Sequence, residues 1–287
     1  MDSPLAGLLP DGRRLHLQHG PIDLVIEAFG PRDEIGAAYR QARTRFETVL
    51  TELVEELAVL RQPVRDPRPG VAGPTAIRMM DAVWPHRDTF VTSMAAVAGS
   101  VADEVMASLI DGRSLDKAYI NNSGDISVYL TPGQTLRLGI VGQLFRPAID
   151  GTAELNFDRP VRGVATSGWQ GRSWSFGIAD AVTVLAESAA AADVAATLIA
   201  NNVNVEHPTI ERAPASELDD QTDLGSRLVT VDVGRLDADG VSAALNKGMQ
   251  TAQHMCNCGL ITAAVLVLKD EIRAIGDVPA ALPATAN

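Results

Sequence analysis

Three short segments of this chain hold residue types that can do chemistry, at spacings that would bring them to a ligand. In the first, Asn121-Asn122-Ser123-Gly124-Asp125, two amides, a hydroxyl and a glycine stand before a carboxylate. Such residues accept unusual backbone angles and leave N–H groups facing outward. Asn121, Asn122, Ser123 and Gly124 could thus bind a small molecule while Asp125 moves a proton. A plain hairpin turn accounts for the same composition. In the second, Gly163-Val164-Ala165-Thr166-Ser167-Gly168-Trp169-Gln170-Gly171-Arg172-Ser173, two hydroxyls are bunched among glycines and followed by a guanidinium. Arg172 offers a planar fork for carboxylate or phosphate, with Thr166, Gly168 and Trp169 beside it. Ser167 joins Asp125 and Asp180 as a catalytic candidate; an exposed loop with a stacked Trp is the alternative. The third pairs Asp193 with Thr197. A spacing of four on a helix sets carboxylate and hydroxyl on one face, where both oxygens could hold a hard cation such as Mg²⁺. Otherwise Thr197 bonds a helix carbonyl and Asp193 is solvated.

Several common chemistries are absent. There is no G-x-S-x-G elbow, no phosphate-binding G-x-x-x-x-G-K, and no G-x-G-x-x-G. His16, His19, His86, His207 and His254 are scattered without metal-ligand spacing. Cys256 and Cys258, the only two cysteines, are too few for a disulfide framework or an all-cysteine zinc site and read as reduced thiols, with a redox pair left open.

The elements that must position these segments follow from periodicity. Alternating apolar residues over 13–29, broken at His19-Gly20-Pro21, describe a hairpin. Ile35, Tyr39, Ala42, Phe46, Val49, Leu53, Leu57 and Leu60 recur at three and four, which predicts one long helix from Pro31 to Leu60, ended by a Pro/Gly-rich linker over 63–74. A small-residue helix is expected over 94–110. Short strands follow near 117–122, 125–130, 135–142, 152–157, 162–166 and 180–185, and a second Ala-rich helix over 188–200 carries Ser188 as its cap. A polar stretch over 201–223 leads to a strand at 228–233, a helix at 241–255 and a strand at 260–268. The segments Ala102-Asp103 to Ile110 and Ala192-Asp193 to Ile199 look alike, by duplication or by chance. The fold class is α+β, with mixed and antiparallel sheets packed with long helices, as a single domain over 1–276 and a loose tail over 277–287.

With 287 residues, 46% of them hydrophobic, the chain can bury a full core, and its net charge of −12 repels nucleic acid and anionic membranes. Met1-Asp2-Ser3-Pro4 opens without a basic or long apolar run, so a cytoplasmic location is expected. The apolar excess of the long helix suggests a homodimer.

Taken together, the motifs resemble those of ApbE-like flavin transferases. Asn122-Ser123-Gly124-Asp125-Ile126 is similar to their Asn-x-Gly-Gly-Asp turn, and Ala165-Thr166-Ser167-Gly168 to their Thr-Ser-Gly loop. Ala181-Val182-Thr183-Val184 with Ala192-Asp193 and Thr197 resembles the strand and helix that hold Mg²⁺. From Leu9 to about Leu268 the chain more closely resembles an uncharacterised ApbE-like family, through Met94 to Gly99, Thr166 to Trp169 and Gly177 to Val184. The resemblance implies the ApbE-like fold, a common cavity bordered by the three segments, and Mg²⁺ as a possible ligand of Asp193 and Thr197. The transferases' His-x-x-Asp-Pro segment is missing, their helix lysine is Ala98 here and the first turn glycine is Ser123, which argues against FAD as cofactor. Similar domains accompany a reductase of hydroxylated pyridine carboxylates. The expectation is an enzyme acting on a small anionic molecule, an isomerase or hydrolase of an N-heterocyclic carboxylate. A divergent FAD:protein FMN transferase and a non-catalytic flavin or small-ligand binder are the alternatives.

Overall fold

A computed structural model describes residues 3–141, 149–278 and 280–281. In chain order the elements are β1 (Leu5–Leu8), β2 (Leu15–His19), β3 (Ile22–Phe29), α1 (Arg32–Glu55), α2 (Leu57–Leu60), α3 (Pro74–Val83), α4 (Val97–Ile110), β4 (Lys117–Asn122) and β5 (Asp125–Leu130). There follow β6 (Thr135–Val141), β7 (Ile149–Asn156), β8 (Gly163–Ser167), β9 (Ala181–Ala186), α5 (Ala189–Asn202), β10 (Ile210–Pro214), α6 (Ala215–Leu218), β11 (Leu228–Val233), α7 (Ala238–Asn257), β12 (Ala263–Leu268), β13 (Glu271–Gly276) and β14 (Ala280–Ala281). The architecture is α+β, with helices and antiparallel sheets. Among the described residues two compact units emerge, one drawn from 1–136, 156–165 and 187–194, the other from 137–155, 166–186 and 195–287.

In the first unit, β1 to β5 lie side by side in sequence order as antiparallel neighbours, and Gly163 and Val164 of β8 pair with Ser127 and Ile126 of β5. The alternation in β2 and β3 turns Leu15, Leu17, Leu24 and Ile26 to one face, where they meet Phe46, Val49 and Leu53 of α1 and Val101, Val105 and Leu109 of α4. Asp33 and Glu34 lie in the first turn of α1, where they complement its dipole. The expected single helix breaks at Glu56, whose carboxylate accepts the Ala72 and Gly73 amides, each at 2.7 Å, tying the Pro/Gly-rich stretch back to the helix. That stretch is followed by a helix the periodicity did not suggest, α3, with Pro74 in its first turn and Ala76, Met79, Met80 and Val83 buried. Ser93–Ile110 is the one described helical window apolar enough to span a bilayer; 56% of it is buried, and α4 packs against α1, α3, β4 and β5 as a core helix.

In the second unit, β9, β12 and β13 form an antiparallel row, with Val182, Val184, Leu266 and Leu268 fully buried and α7 packed on β12 and β13. The hairpin β10–β11 is separate, and β14, β7 and β6 are neighbours in that order. Of the tail expected to be loose, Ala280 and Ala281 pair with Ala153 and Thr152 of β7; residue 279 and those beyond 281 lie outside the described residues.

Candidate functional site

The β4–β5 hairpin brings Asn122 opposite Asp125 and leaves Ser123 and Gly124 as a two-residue turn. Both sit at positive φ, +55° and +116°, as such a turn demands, and the Asn121 side-chain oxygen accepts the Gly124 amide at 2.8 Å. These bonds shape the turn itself. Asn122 does something else: it is buried and its side-chain amide donates to the carbonyl of Ala98 at 3.0 Å, fixing the head of α4 beside the hairpin.

Two helix heads meet here. Asp103, on α4, accepts bonds from the Ser127 hydroxyl at 2.7 Å and from the Ala189 and Ala190 amides at 3.2 and 2.9 Å, and the Ser188 hydroxyl takes the Ala191 amide at 3.1 Å. A carboxylate and a serine thus satisfy the first amides of α5, where its dipole favours negative charge. In return Asp193, on α5, accepts the Gly99 amide at 3.0 Å near the start of α4. The helices come this close because position 99 is glycine: a Cβ there would lie 2.3 Å from the Ala189 carbonyl oxygen.

Burial pushes the Asp193 carboxyl well above the usual carboxylate range; the charge of Asp125 adds to this, the Gly99 and Ala98 amides oppose it, and Asp103 pushes it further up. Asp103 is also raised by burial, against its three donors. Among the described residues no group of three or more His, Cys, Asp or Glu is arranged to hold a metal. A cation here would therefore rest on one or two carboxylates, the number Mg²⁺ ordinarily takes from protein. Thr197 stands one turn beyond Asp193 on α5.

The shift has a measurable sign. Asp193 in the folded chain binds its proton more tightly than the ordinary carboxyl at 3.8. Above about pH 4, and up to the raised folded value, the folded state holds a proton the unfolded state lacks. Stability therefore falls as pH rises through that window. In cation-free buffer the melting temperature is expected to drop along the same interval and to drop less in Asp193→Asn; an equal slope in the variant would rule out Asp193 as its source. Asp103 and Asp180, also raised by burial, contribute slopes of the same sign that the variant leaves in place.

The remaining expected residues lie in the second unit. Thr166 and Thr183 share a hydroxyl bond of 2.9 Å, and the Trp169 amide donates to the Ala179 carbonyl at 2.9 Å. Asp180 accepts the Trp169 indole N–H at 3.1 Å on one oxygen and the Lys269 amide on the other. Burial pushes it up and these donors pull it down. Gly168 is needed because a Cβ would lie 2.4 Å from the Asp180 carbonyl oxygen. Ser167 is half-buried and Arg172 is exposed. Asn121 to Asp125 and Asp193 thus belong to one unit, Thr166 to Arg172 and Asp180 to the other. Of the residues that support the first group, Asp103 lies in the segment that resembles Ala192 to Ile199 and Gly163 opens the second glycine-rich segment, but nothing in the sequence links either to this turn, and Ser127 carries no motif.

A model of the family described as AbpE bacteria matches residues 6–274. The chain is 38% identical over 141 residues to the UPF0280 protein of Methanothermobacter thermautotrophicus, a match covering 46% of this chain and 50% of the relative. It is 34% identical over 122 residues to the UPF0280 protein of Methanococcoides burtonii, covering 42% and 49%. The chain spans about half the length of the curated relatives it matches. Among solved structures it is similar to the flavinyl transferase ApbE of Pseudomonas stutzeri, with 15% identity, 95% of this chain and 93% of that one covered, and a TM-score of 0.43. It is also similar to the flavin transferase ApbE of Vibrio cholerae, with 12% identity, 92% and 96% covered, and a TM-score of 0.42.

Proposed function

Given that the chain belongs to the family described as AbpE bacteria, we propose that it is an enzyme acting on a small anionic molecule, with Asp193 and Asp125 at the centre of its chemistry. The observation that carries this reading is the Asp193 carboxyl, sunk against the head of α4 and acted on by the negative charge of Asp125. Two half-buried carboxylates whose charges bear on each other favour a proton or a divalent cation between them. Asp193 would hold Mg²⁺, with the Thr197 hydroxyl a turn further along α5. When bound, that ion neutralises charge on an anionic group and polarises the bond beside it. Asp125, at the start of β5, takes or returns the proton, and Asn122 keeps the hairpin against α4. The reaction class is tautomerisation or hydrolysis of an N-heterocyclic carboxylate.

The test is a panel of hydroxypyridine carboxylates and cyclic amides incubated with folded protein and Mg²⁺ and followed by absorbance. Turnover is expected to fall about 100-fold or more in Asp125→Asn, and no turnover across the panel would sink the reading. Independently of substrate, Mg²⁺ is expected to raise the melting temperature of the wild type, by an amount equivalent to about 2.7 kcal/mol at a hundredfold excess over Kd, and to leave Asp193→Asn unmoved.

A second reading, a divergent FAD:protein FMN transferase, is favoured by the family match together with the retained Asp193 and Thr197. Incubation with FAD, Mg²⁺ and a Thr-bearing acceptor peptide decides between the two: an FMN adduct by mass spectrometry would replace the first reading.

A further inference from the structure

The C-terminal end of α7 carries nucleophilic groups that the proposed site does not use. His254, Cys256 and Cys258 follow one another at every second position, and helical geometry separates them: His254 and Cys258, four apart, share a face, while Cys256 lies on another. The His254 Nε2 stands 3.8 Å from the Cys258 sulfur, within reach of a thiol hydrogen bond, and both side chains are exposed. Cys256 is partly buried, and burial pushes its thiol up.

The end of the helix fixes this pair in place. Gly259, at φ +70°, reverses the chain, the Leu260 amide donates to the Met255 carbonyl at 3.0 Å and the Gly259 amide to the Cys256 carbonyl at 3.0 Å. This closed turn satisfies the last carbonyls and holds Cys258 one helical turn from His254. The His254 ring nitrogen beside the Cys258 sulfur is therefore placed to take the thiol proton as the sulfur attacks. A disulfide between Cys256 and Cys258 would require unwinding that turn, because the two sulfurs leave the helix on different sides.

We propose that Cys258, with His254 as its proton acceptor, is a modification site that takes up a low-molecular-weight thiol as a mixed disulfide. The balance is that of thiol–disulfide exchange. The Cys258 proton passes to His254, and the Cys258 sulfur attacks one sulfur of a small disulfide. The S–S bond of that molecule breaks, and its other half leaves as a thiolate that recovers the proton from His254. The attacked half stays on Cys258, and no further oxidant is needed.

The experiment treats the folded full chain with oxidised glutathione at pH 7 and maps adducts by peptide mass spectrometry over time. The adduct is expected on Cys258, forming about tenfold faster than on Cys256. The exposed substitution His254→Gln is expected to slow it about tenfold, while Cys256→Ser leaves the Cys258 rate unchanged. Equal labelling of the two cysteines, labelling of Cys256 alone, no adduct on either, or an unchanged rate in His254→Gln would each overturn the proposal. Reaction with a neutral aromatic disulfide repeats the comparison without the charges of glutathione; a His254 effect seen only with glutathione would also overturn it.

Discussion

Asp103→Ala is expected to destabilise the protein by about 4 kcal/mol, read as a lower urea midpoint with an unchanged slope. The carboxylate accepts three bonds, from the Ser127 hydroxyl and the Ala189 and Ala190 amides. Alanine leaves all three donors facing a gap, and each unmade bond to a charged acceptor costs about 1.5–3 kcal/mol. One effect runs the other way: burial raises Asp103 and its charge bears on Asp193, so removing that charge relieves some strain. The relief acts through space on one group, whereas the loss removes three direct bonds, so the loss wins. Asp103→Asn separates the two, since its oxygen still accepts while its NH₂ faces a donor; about half the cost is expected. Hydrogen exchange at Ala189 and Ala190 locates the damage. A loss below about 1 kcal/mol in the alanine variant would mean that Ser188 alone seats the helix.

That bond set also shows where reading the sequence stops. The turn at Asn121 to Asp125 and the loop at Thr166 to Arg172 stand out because amides, hydroxyls and arginine beside glycine are unusual locally. Ser188 stands out as a cap, and it caps. Asp103 looks like one charged position on an Ala-rich helix, because its amide partners are 86 and 87 residues away and backbone amides leave no trace in residue type. Asp180 is the converse case. It looks free to move protons, yet its carboxylate is met by an indole and by an amide 89 residues on. In the fold, β2, β3, α1 and α5 follow from apolar period, while α3 hides behind the Pro/Gly run before it. β10 hides in a polar stretch because Ile210 to Pro214 pairs through its backbone with β11 and buries little but Ile210.

The likeness of Ala102-Asp103 to Ala192-Asp193 gains a physical meaning from the same geometry. Each Asp takes amides at the head of the other's helix: Asp103 those of Ala189 and Ala190, Asp193 that of Gly99. This exchange ties the two similar segments together in space, whether they arose by duplication or by chance. The two ends are not equivalent. Asp103 has the Ser127 hydroxyl as well, whereas Asp193 has Asp125 acting against it, which leaves Asp193 as the end that holds a proton more tightly.

Gly163→Ala is expected to cost about 3 kcal/mol or more and to abolish the Mg²⁺ response together with the seat of α5. A Cβ at this position would lie 2.0 Å from the Ser188 carbonyl carbon and oxygen and 2.2 Å from the Ala189 nitrogen. All three are backbone atoms, so no rotamer change can make room. Either β8 leaves Ser127 or the head of α5 moves away, and each route loosens the donors that Asp103 holds. Gly99→Ala presses on the same helix head, against Ala189, and carries the amide that Asp193 uses, so it should remove the cation response even where folding survives. Gly7→Ala, with nothing within 4 Å of the added carbon, is the control, expected within about 0.5 kcal/mol of the wild type. Thermal melts with and without Mg²⁺ decide the case: if Gly163→Ala melts like Gly7→Ala, then α5 does not rest on β8, and the close approach that sets Asp193 must have another support.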